Sequence, residues 1–252
     1  MEALRTYRAD MHIHTCLSPC GDLDMSPRGI VAAALAANLD IIAVCDHNTA
    51  ENVAATIRAA ERDGQGLRVL AGMEVCSLEE VHVLALFESC EQALDFQTLV
   101  YDGLPNRTNR PDIFGEQVVA NEDDEVEAFV DRLLIAAIDL NLSAVVEAIH
   151  ERHGLAVASH VDRPAFGLFS QLGFLPPGLP LDGVEISARC DLFTLLNRRP
   201  ELADKAILRN SDAHFIEDVG KGYTEFDLMG PTLEEIAMAL KGEGGRCIRR
   251  LS

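Results

Sequence analysis

Eight histidines, His12, His14, His47, His82, His150, His153, His160 and His214, stand in this 252-residue chain, and most follow short apolar runs. His12 and His14 come after the run that begins at Tyr7, and His47 follows IIAVC (residues 41–45). His160 follows LAVAS (155–159), and His214 lies just past AILRN. Glu74 ends LRVLAGM, and Asp212 stands two residues before His214. A single histidine at the end of a strand is usually structural; the coincidence of five, with carboxylates among them, is what points to metal binding. Imidazole and carboxylate donors suit Zn²⁺, Mn²⁺ or Fe²⁺ better than soft metals. His12 and His14, two apart on an extended chain, project to the same side and can share one ion. Five histidines with at least three carboxylates exceed what one tetrahedral ion needs, so more than one divalent ion is expected. Such a site clamps a phosphoryl group and activates water against it. Cys16, Cys20 and Cys45 lie near these ligands and read as small packed side chains. His150 and His153, at the end of AVVEAIHERHG, suit a helix C-terminus and read as structural.

The elements that must position these groups alternate along the chain. Residues 7–11, 41–45, 67–75, 81–87, 155–159, 181–187 and 205–210 are short apolar strand candidates. Between them lie helical patterns, among them PRGIVAAALAA (27–37) with Ser26 as N-cap and Pro27 at the first helical position, and a second from about Thr49 to Arg62. Repeated strand–helix–strand predicts an α/β fold with parallel pairing, and a barrel is one way to close it. In such a barrel the carboxyl ends of the strands form the active face. The rhythm breaks over residues 88–142, which read as a helical insertion or lid, with extra core helices as the alternative. Within it NEDDEVE (121–127) is expected to cap and open a helix, and residues 129–140 are apolar enough to be packed.

Composition bounds the function. Lys and Arg total 21 against 41 Asp and Glu, a net charge of −20, which argues against a general grip on long nucleic acid. A local cluster of metal ions would still reverse the field where it counts. No run of 18 apolar residues encodes a membrane helix, the N-terminal residues lack the apolar stretch of a signal peptide, and seven cysteines without CxxC pairs read as reduced thiols. A soluble, acidic, cytoplasmic protein is the expectation.

Four segments together resemble the polymerase and histidinol phosphatase (PHP) family: Asp10-Met-His12-Ile-His14-Thr15, Cys45-Asp46-His47-Asn48-Thr49, Ala158-Ser159-His160 and Asn210-Ser211-Asp212-Ala213-His214. Glu74 in GMEV and His82 in VHVLALF fill the family's two other ligand positions. The resemblance implies a distorted (β/α)7 barrel over residues 1–252, with up to three metals on its carboxyl face. By the family pattern His12, His14 and Asp212 hold the first ion, Glu74 bridges to the second, and His82 and His160 complete that one. His47 and His214 hold the third with an acidic residue, Asp22 by its distance from Pro27, with Asp24 as the rival. Asp10 and Asp46 are expected to orient histidines through hydrogen bonds. Arg163 stands where related phosphatases place a phosphate-binding arginine, though Asp162 beside it could instead pair structurally. Glu185, ending LDGVE, either lines the same rim or is simply solvated.

The implied activity is metal-dependent hydrolysis of a small phosphomonoester, nucleotide-like or histidinol-phosphate-like, by a metal-bridged hydroxide. The alternatives are a 3′→5′ exonuclease on short oligonucleotides and a non-catalytic metal-binding regulatory domain. An amidohydrolase would need a mid-chain lysine, and Lys205, Lys221 and Lys241 all come late. The apolar run Phe166, Leu168, Phe169, Leu172 and Phe174 reads as core or pocket wall, and the oligomeric state stays open.

Overall fold

The computed structural model describes residues 3–252. Its strands and helices are, in chain order, β1 (Arg5–Ile13), α1 (Pro27–Ala36), β2 (Ile41–Val44), α2 (Val53–Asp63), β3 (Arg68–Cys76), β4 (His82–Phe87), α3 (Cys90–Gly103), α4 (Pro111–Phe114), β5 (Val118–Ala120), β6 (Val126–Phe129), α5 (Leu142–Glu151), β7 (Leu155–Ala158), α6 (Leu168–Leu172), β8 (Gly183–Ile186), α7 (Leu192–Arg198), β9 (Ile207–Arg209), β10 (Thr224–Leu228), α8 (Leu233–Lys241) and β11 (Cys247–Leu251). The main sheet runs β11-β10-β1-β2-β3-β4-β7-β8-β9. Its last seven members curl into the expected barrel. The seam between β9 and β1 is closed past the end of β9, where Ala213 bridges Ile13 and His14 N donates to Ala213 O at 3.0 Å.

The pairing is parallel at β1–β2, β2–β3, β7–β8 and β8–β9, but β4 runs against both neighbours. The reason is the length of the connection. Residues 77–81 form a tight turn in which Ser77 N donates to Val81 O, too short for the crossover a parallel strand needs. One consequence matters for the site: the first residue of β4, His82, lies at the same rim as the last residues of the parallel strands.

Both faces of β2, β3, β4, β7 and β8 are buried, so these strands read as continuous apolar runs. Ile41, Ala43 and Cys45 face the barrel interior with Met11, Leu70, Leu84, Leu86, Val157, Leu208 and Phe226, and α8 adds Leu233, Ile236 and Ala239 to that cluster. The alternate residues Ile42 and Val44 face the outer helical layer. A fully buried apolar interior under a polar rim makes the barrel a rigid base for the histidines. The α1 start is as expected: Ser26 Oγ accepts from Gly29 N at 3.2 Å, with Pro27 next.

Residues 88–142 are only partly helical. Helix α3 belongs to the barrel's outer layer, with Ala93, Phe96 and Val100 buried and the Phe96 ring 5.5 Å from Phe87. The rest is the short α4, the β5–β6 hairpin and irregular chain. NEDDEVE opens no helix; it is the hairpin turn and the start of β6. Asn121 Oδ1 accepts from Asp123 N and Glu125 N, and Asp124 sits at φ +66, so the asparagine side chain stabilises a turn against a helix. Leu133, Leu134 and Ile138 are packed without regular structure, while Phe129 is exposed. Among the described residues no helix is long and apolar enough to cross a membrane.

Candidate metal centre

The carboxyl rim gathers eight of the nine nominated donors, all but Asp22, into one cluster that is buried except at the half-buried His214. Three overlapping groups have their donor atoms within 4.8 Å of one another: His12, His14, Glu74 and Asp212; His47, Glu74 and His82; and His14, His47 and His214. Glu74 is the hub. Its carboxylate oxygens lie 3.3 Å from His12 Nε2, 3.5 Å from His14 Nε2, and 3.1 Å from each of His47 Nδ1, His82 Nδ1 and His160 Nε2. Asp212 Oδ1 lies 3.3 Å from His12 Nε2 and 3.1 Å from His14 Nε2. His160 and Asp212 hold left-handed backbone conformations, φ +26 and +50, which non-glycine residues adopt at a cost of about 1–3 kcal/mol and retain where the surroundings dictate them.

Buried partners fix the outward side of two rings. His12 Nδ1 donates to Glu185 at 3.0 Å, and Glu185 also accepts from His160 N at 3.1 Å and Asn210 Nδ2 at 2.8 Å. Glu185 is therefore wholly buried and neither lines the rim nor is solvated. His14 Nδ1 meets Ser18 Oγ at 2.9 Å, and that hydroxyl donates to Asp46 Oδ1 at 2.7 Å. Asp46 thus acts on His14 through Ser18, while it also accepts from Thr15 N and Oγ1. Asp10 touches no histidine by hydrogen bond. It accepts from Ser211 N and Gly220 N and so shapes the loop that carries Asp212 and His214.

With both Nδ1 positions committed, His12 Nε2 and His14 Nε2 face each other at 3.1 Å. His82 Nε2 and His160 Nδ1 have no hydrogen-bond partner although both are buried, and the one polar neighbour of His82 Nδ1 is the Glu74 carboxylate. Ring nitrogens crowded together, two of them orphaned, around two carboxylates are what a bound cation would satisfy, so the donor set fits divalent metal ions. Electrostatics agree. Burial would lower His12, but Glu185, Asp212 and Glu74 outweigh it and hold the ring well above the usual histidine range. Burial and the neighbouring His214 and His47 hold His14 well below that range. Burial would raise Glu74, yet His82, His12 and His160 keep it well below the ordinary carboxylate range.

Two expectations at the third group fail. Asp22 is exposed and its Oδ1 accepts from Asp24 N at 2.9 Å, an Asx turn that spends the carboxylate locally; Asp24 is exposed too. Neither joins the cluster. Cys16 and Cys45 are buried as expected, with burial raising their thiols, but Cys20 is not packed away. It is exposed and belongs to none of the three donor groups. His150 pairs with Asp182 at 2.8 Å, away from the rim. Asp162 accepts from Ser187 N at 2.8 Å and not from Arg163. Arg163 instead reaches Asp212, Nη1 to Oδ2 at 2.5 Å.

Over the cluster opens a cleft of ≈ 300 Å³ lined by His47, Glu74, His82, His160, Asp212 and His214 on one side and by Ile135, Arg163, Pro164, Ala165 and Phe166 on the other. Phe166 stacks on His82, ring centroids 4.6 Å apart, so it is a pocket wall, whereas Leu168 and Phe169 are core and Phe174 is exposed. Ile135 comes from the irregular part of the 88–142 segment, whose backbone is tied to the rim by Asn48 Nδ2 donating to Leu134 O and Ala136 O.

A seven-stranded barrel with histidines and carboxylates converging at its carboxyl end defines a metal-dependent hydrolase fold. The chain belongs to the PHP family: the PHP domain matches residues 10–162, and a PHP-associated region matches residues 202–243. Among curated proteins it is 30% identical over 115 residues to the uncharacterized protein YqxK of Bacillus subtilis, which covers 43% of this chain and 28% of YqxK. Among solved structures it is similar to the lesion-specific endonuclease EndoQ of Pyrococcus furiosus, with TM-score 0.72 and 20% identity over 98% of this chain and 58% of that one. It is also similar to a Bifidobacterium adolescentis protein proposed to be a metal-dependent phosphoesterase, with TM-score 0.55 and 20% identity over 82% and 87% of the two chains. The chain thus spans well under two thirds of the lengths of YqxK and EndoQ, and the likeness to the solved structures is one of fold.

Proposed function

We propose that this protein hydrolyses a small phosphomonoester, using two or three divalent ions of the Mn²⁺, Zn²⁺ or Fe²⁺ type. The observation that carries this reading is Arg163 on the rim of a small cleft whose floor is the histidine–carboxylate cluster. A guanidinium fork suits the oxygens of a phosphate. Ions held by His12, His14, Glu74, His82, His160, Asp212, His47 and His214 would lower the pKa of water and offset charge on the phosphoryl oxygens. The chain's own groups prepare that chemistry. Glu185 holds the proton of His12 at Nδ1, and Ser18, backed by Asp46, holds that of His14, so both Nε2 atoms face the centre. Arg163 Nη1, now paired with Asp212, orients an incoming phosphoryl group. Ile135, Pro164 and Phe166 exclude bulk water on the opposite wall.

The cleft volume matches a mononucleotide-sized ester, at the small end of ligand pockets generally. A net charge of −20 leaves a long duplex without attraction beyond the metal centre. The test is phosphate release from a panel of phosphomonoesters, nucleotides and short oligonucleotides, with Mn²⁺, then Zn²⁺, then chelator. Metal-dependent release from a few small esters, abolished in folded His12→Ala and Asp212→Ala variants, is the expected result. Cleavage of oligonucleotide ends without monoester turnover would replace the phosphatase by an exonuclease. Inertness towards every ester in a protein shown to hold metal would leave a non-catalytic metal-binding domain.

A further inference from the structure

Beside the metal cleft lies a second one, ≈ 470 Å³ in volume, with Arg163, Ser187, Arg189, Ser211, Asp212 and Lys221 on its walls. Arg163 and Asp212 border both clefts, so the two adjoin at a metal ligand. The walls of the second cleft are the loops that follow β7, β8 and β9, neighbouring strands paired in parallel. These loops are held from behind. Asp162 accepts from Ser187 N at 2.8 Å, and the Arg209 guanidinium donates to Ala188 O at 2.6 Å and Cys190 O at 3.0 Å. Asp10 fixes the third loop at two points, accepting from Ser211 N at 3.0 Å and Gly220 N at 2.9 Å. The backbone on each side of Arg189 is thus committed, yet among the described residues no hydrogen bond or ion pair engages its exposed guanidinium. Lys221 Nζ lies 2.6 Å from Asp218 Oδ1, and Arg163 rests on Asp212. Asp212 is already spent on the histidine cluster, which leaves the cleft an excess of positive charge on a chain of net charge −20. Basic groups gathered in a cleft concentrate anions there.

We propose that this second cleft receives a second anionic group, a phosphate or a carboxylate, carried by the same phosphomonoester whose scissile phosphoryl group lies at the metal cluster. Arg189 is its principal ligand, because an unengaged guanidinium offers an oxyanion a fork of N–H donors. Lys221, tethered by Asp218, adds a point charge. The substrate is then two-headed, a bisphosphate or a phosphorylated acid. An ester with a neutral remainder leaves Arg189 unpaired, and one with a cationic remainder is repelled by it. The inference rests on the phosphomonoesterase reading above, which sets what lies at the metals.

Calorimetric titration of the Mn²⁺-loaded protein with non-hydrolysable phosphonates tests this without turnover. The probes are straight alkyl chains of graded length with a phosphonate at one end and a methyl, a carboxylate or a second phosphonate at the other. At the best length wild type is expected to bind a two-headed probe about 10–100-fold tighter than the methyl-ended one, the worth of one charge-assisted hydrogen-bonded contact. Added salt should shrink that advantage, and the carboxylate and phosphonate arms identify the second group. Arg189→Ala is expected to remove most of the advantage and Lys221→Ala a smaller share. Lys241→Ala, the same loss of charge at the end of α8, is expected to remove none. All three side chains are exposed, so the barrel should stay intact, which circular dichroism checks. Equal affinity for one- and two-headed probes at every length, or an advantage that survives Arg189→Ala, would overturn the second subsite and leave the phosphomonoesterase reading standing. Binding of no probe at all would overturn both.

Discussion

The Glu185→Gln substitution tests how far the centre depends on a residue that touches no substrate. Three donors converge on the Glu185 carboxylate: His12 Nδ1, His160 N on Oε1, and Asn210 Nδ2 on Oε2. Glutamine has the same shape but one acceptor oxygen. If that oxygen takes the Oε1 position, the new NH₂ faces the Asn210 amide; if it takes Oε2, the NH₂ faces His160 N–H. Either way one buried donor meets another donor, which costs about 1–3 kcal/mol in the metal-free protein. The second consequence is at the metal. Loss of a carboxylate that orients a ligating histidine typically weakens metal binding by about 10–100-fold. At free metal 100-fold above the dissociation constant, a ligand stabilises the wild-type fold by about 2.7 kcal/mol, and a 10- to 100-fold weaker site leaves about 1.4 to 0.4 kcal/mol. Urea unfolding of both proteins, with and without Mn²⁺ at fixed free concentration, separates the two effects. A glutamine variant matching wild type within about 0.5 kcal/mol in both conditions would refute the role assigned to Glu185, since that is the scatter of surface changes.

Arg163→Ala should lower kcat/KM for a phosphomonoester by about 10–100-fold, the loss of one or two charge-assisted hydrogen bonds, with metal content unchanged; unaltered steady-state kinetics would remove Arg163 from the phosphate site. Metal uptake should release protons, because His12 is held above the usual histidine range by Glu185, Asp212 and Glu74 and must free Nε2 for an ion. Affinity should therefore rise with pH through the neutral range, and titration in weak buffer with a pH indicator that records no acidification would contradict this. Gly72→Ala should destabilise the barrel by about 1–3 kcal/mol, because the added methyl would stand 2.6 Å from Cys45 Sγ and 2.8 Å from the Val44 carbonyl oxygen; equal denaturation midpoints would show that the strands yield there.

Much of the centre was legible in the chain alone, and the reason is chemical. Few residue types donate to divalent ions, and in a parallel α/β barrel they must stand just beyond apolar runs, so His12, His14, His47, His160, Asp212 and His214 announce themselves by position. The alternation of inward Ile41 and Ala43 with outward Ile42 and Val44, both buried, likewise follows from local period and composition. His82 does not obey that rule. It precedes its strand because β4 is reversed, and its place came from resemblance to the PHP motifs.

What the tertiary structure decided lies between segments far apart in the chain. Glu185 meets His12 across 173 positions, and no local pattern distinguishes a buried carboxylate that aligns a ring from one that is solvated. NEDDEVE has the charges of a helix start, but Asn121 closes a turn and the flanking valines pair as a hairpin. At the loop after His14, spacing nominates Asp22, while turns pinned to His47 and His214 leave its carboxylate exposed and bound to Asp24 N. Sequence determines which donors exist and which face of each strand they occupy, since these depend on residue type and on a two-residue period. Which donor reaches a given ion depends on strand direction, loop path and non-local hydrogen bonds, and these exist only once the barrel has closed.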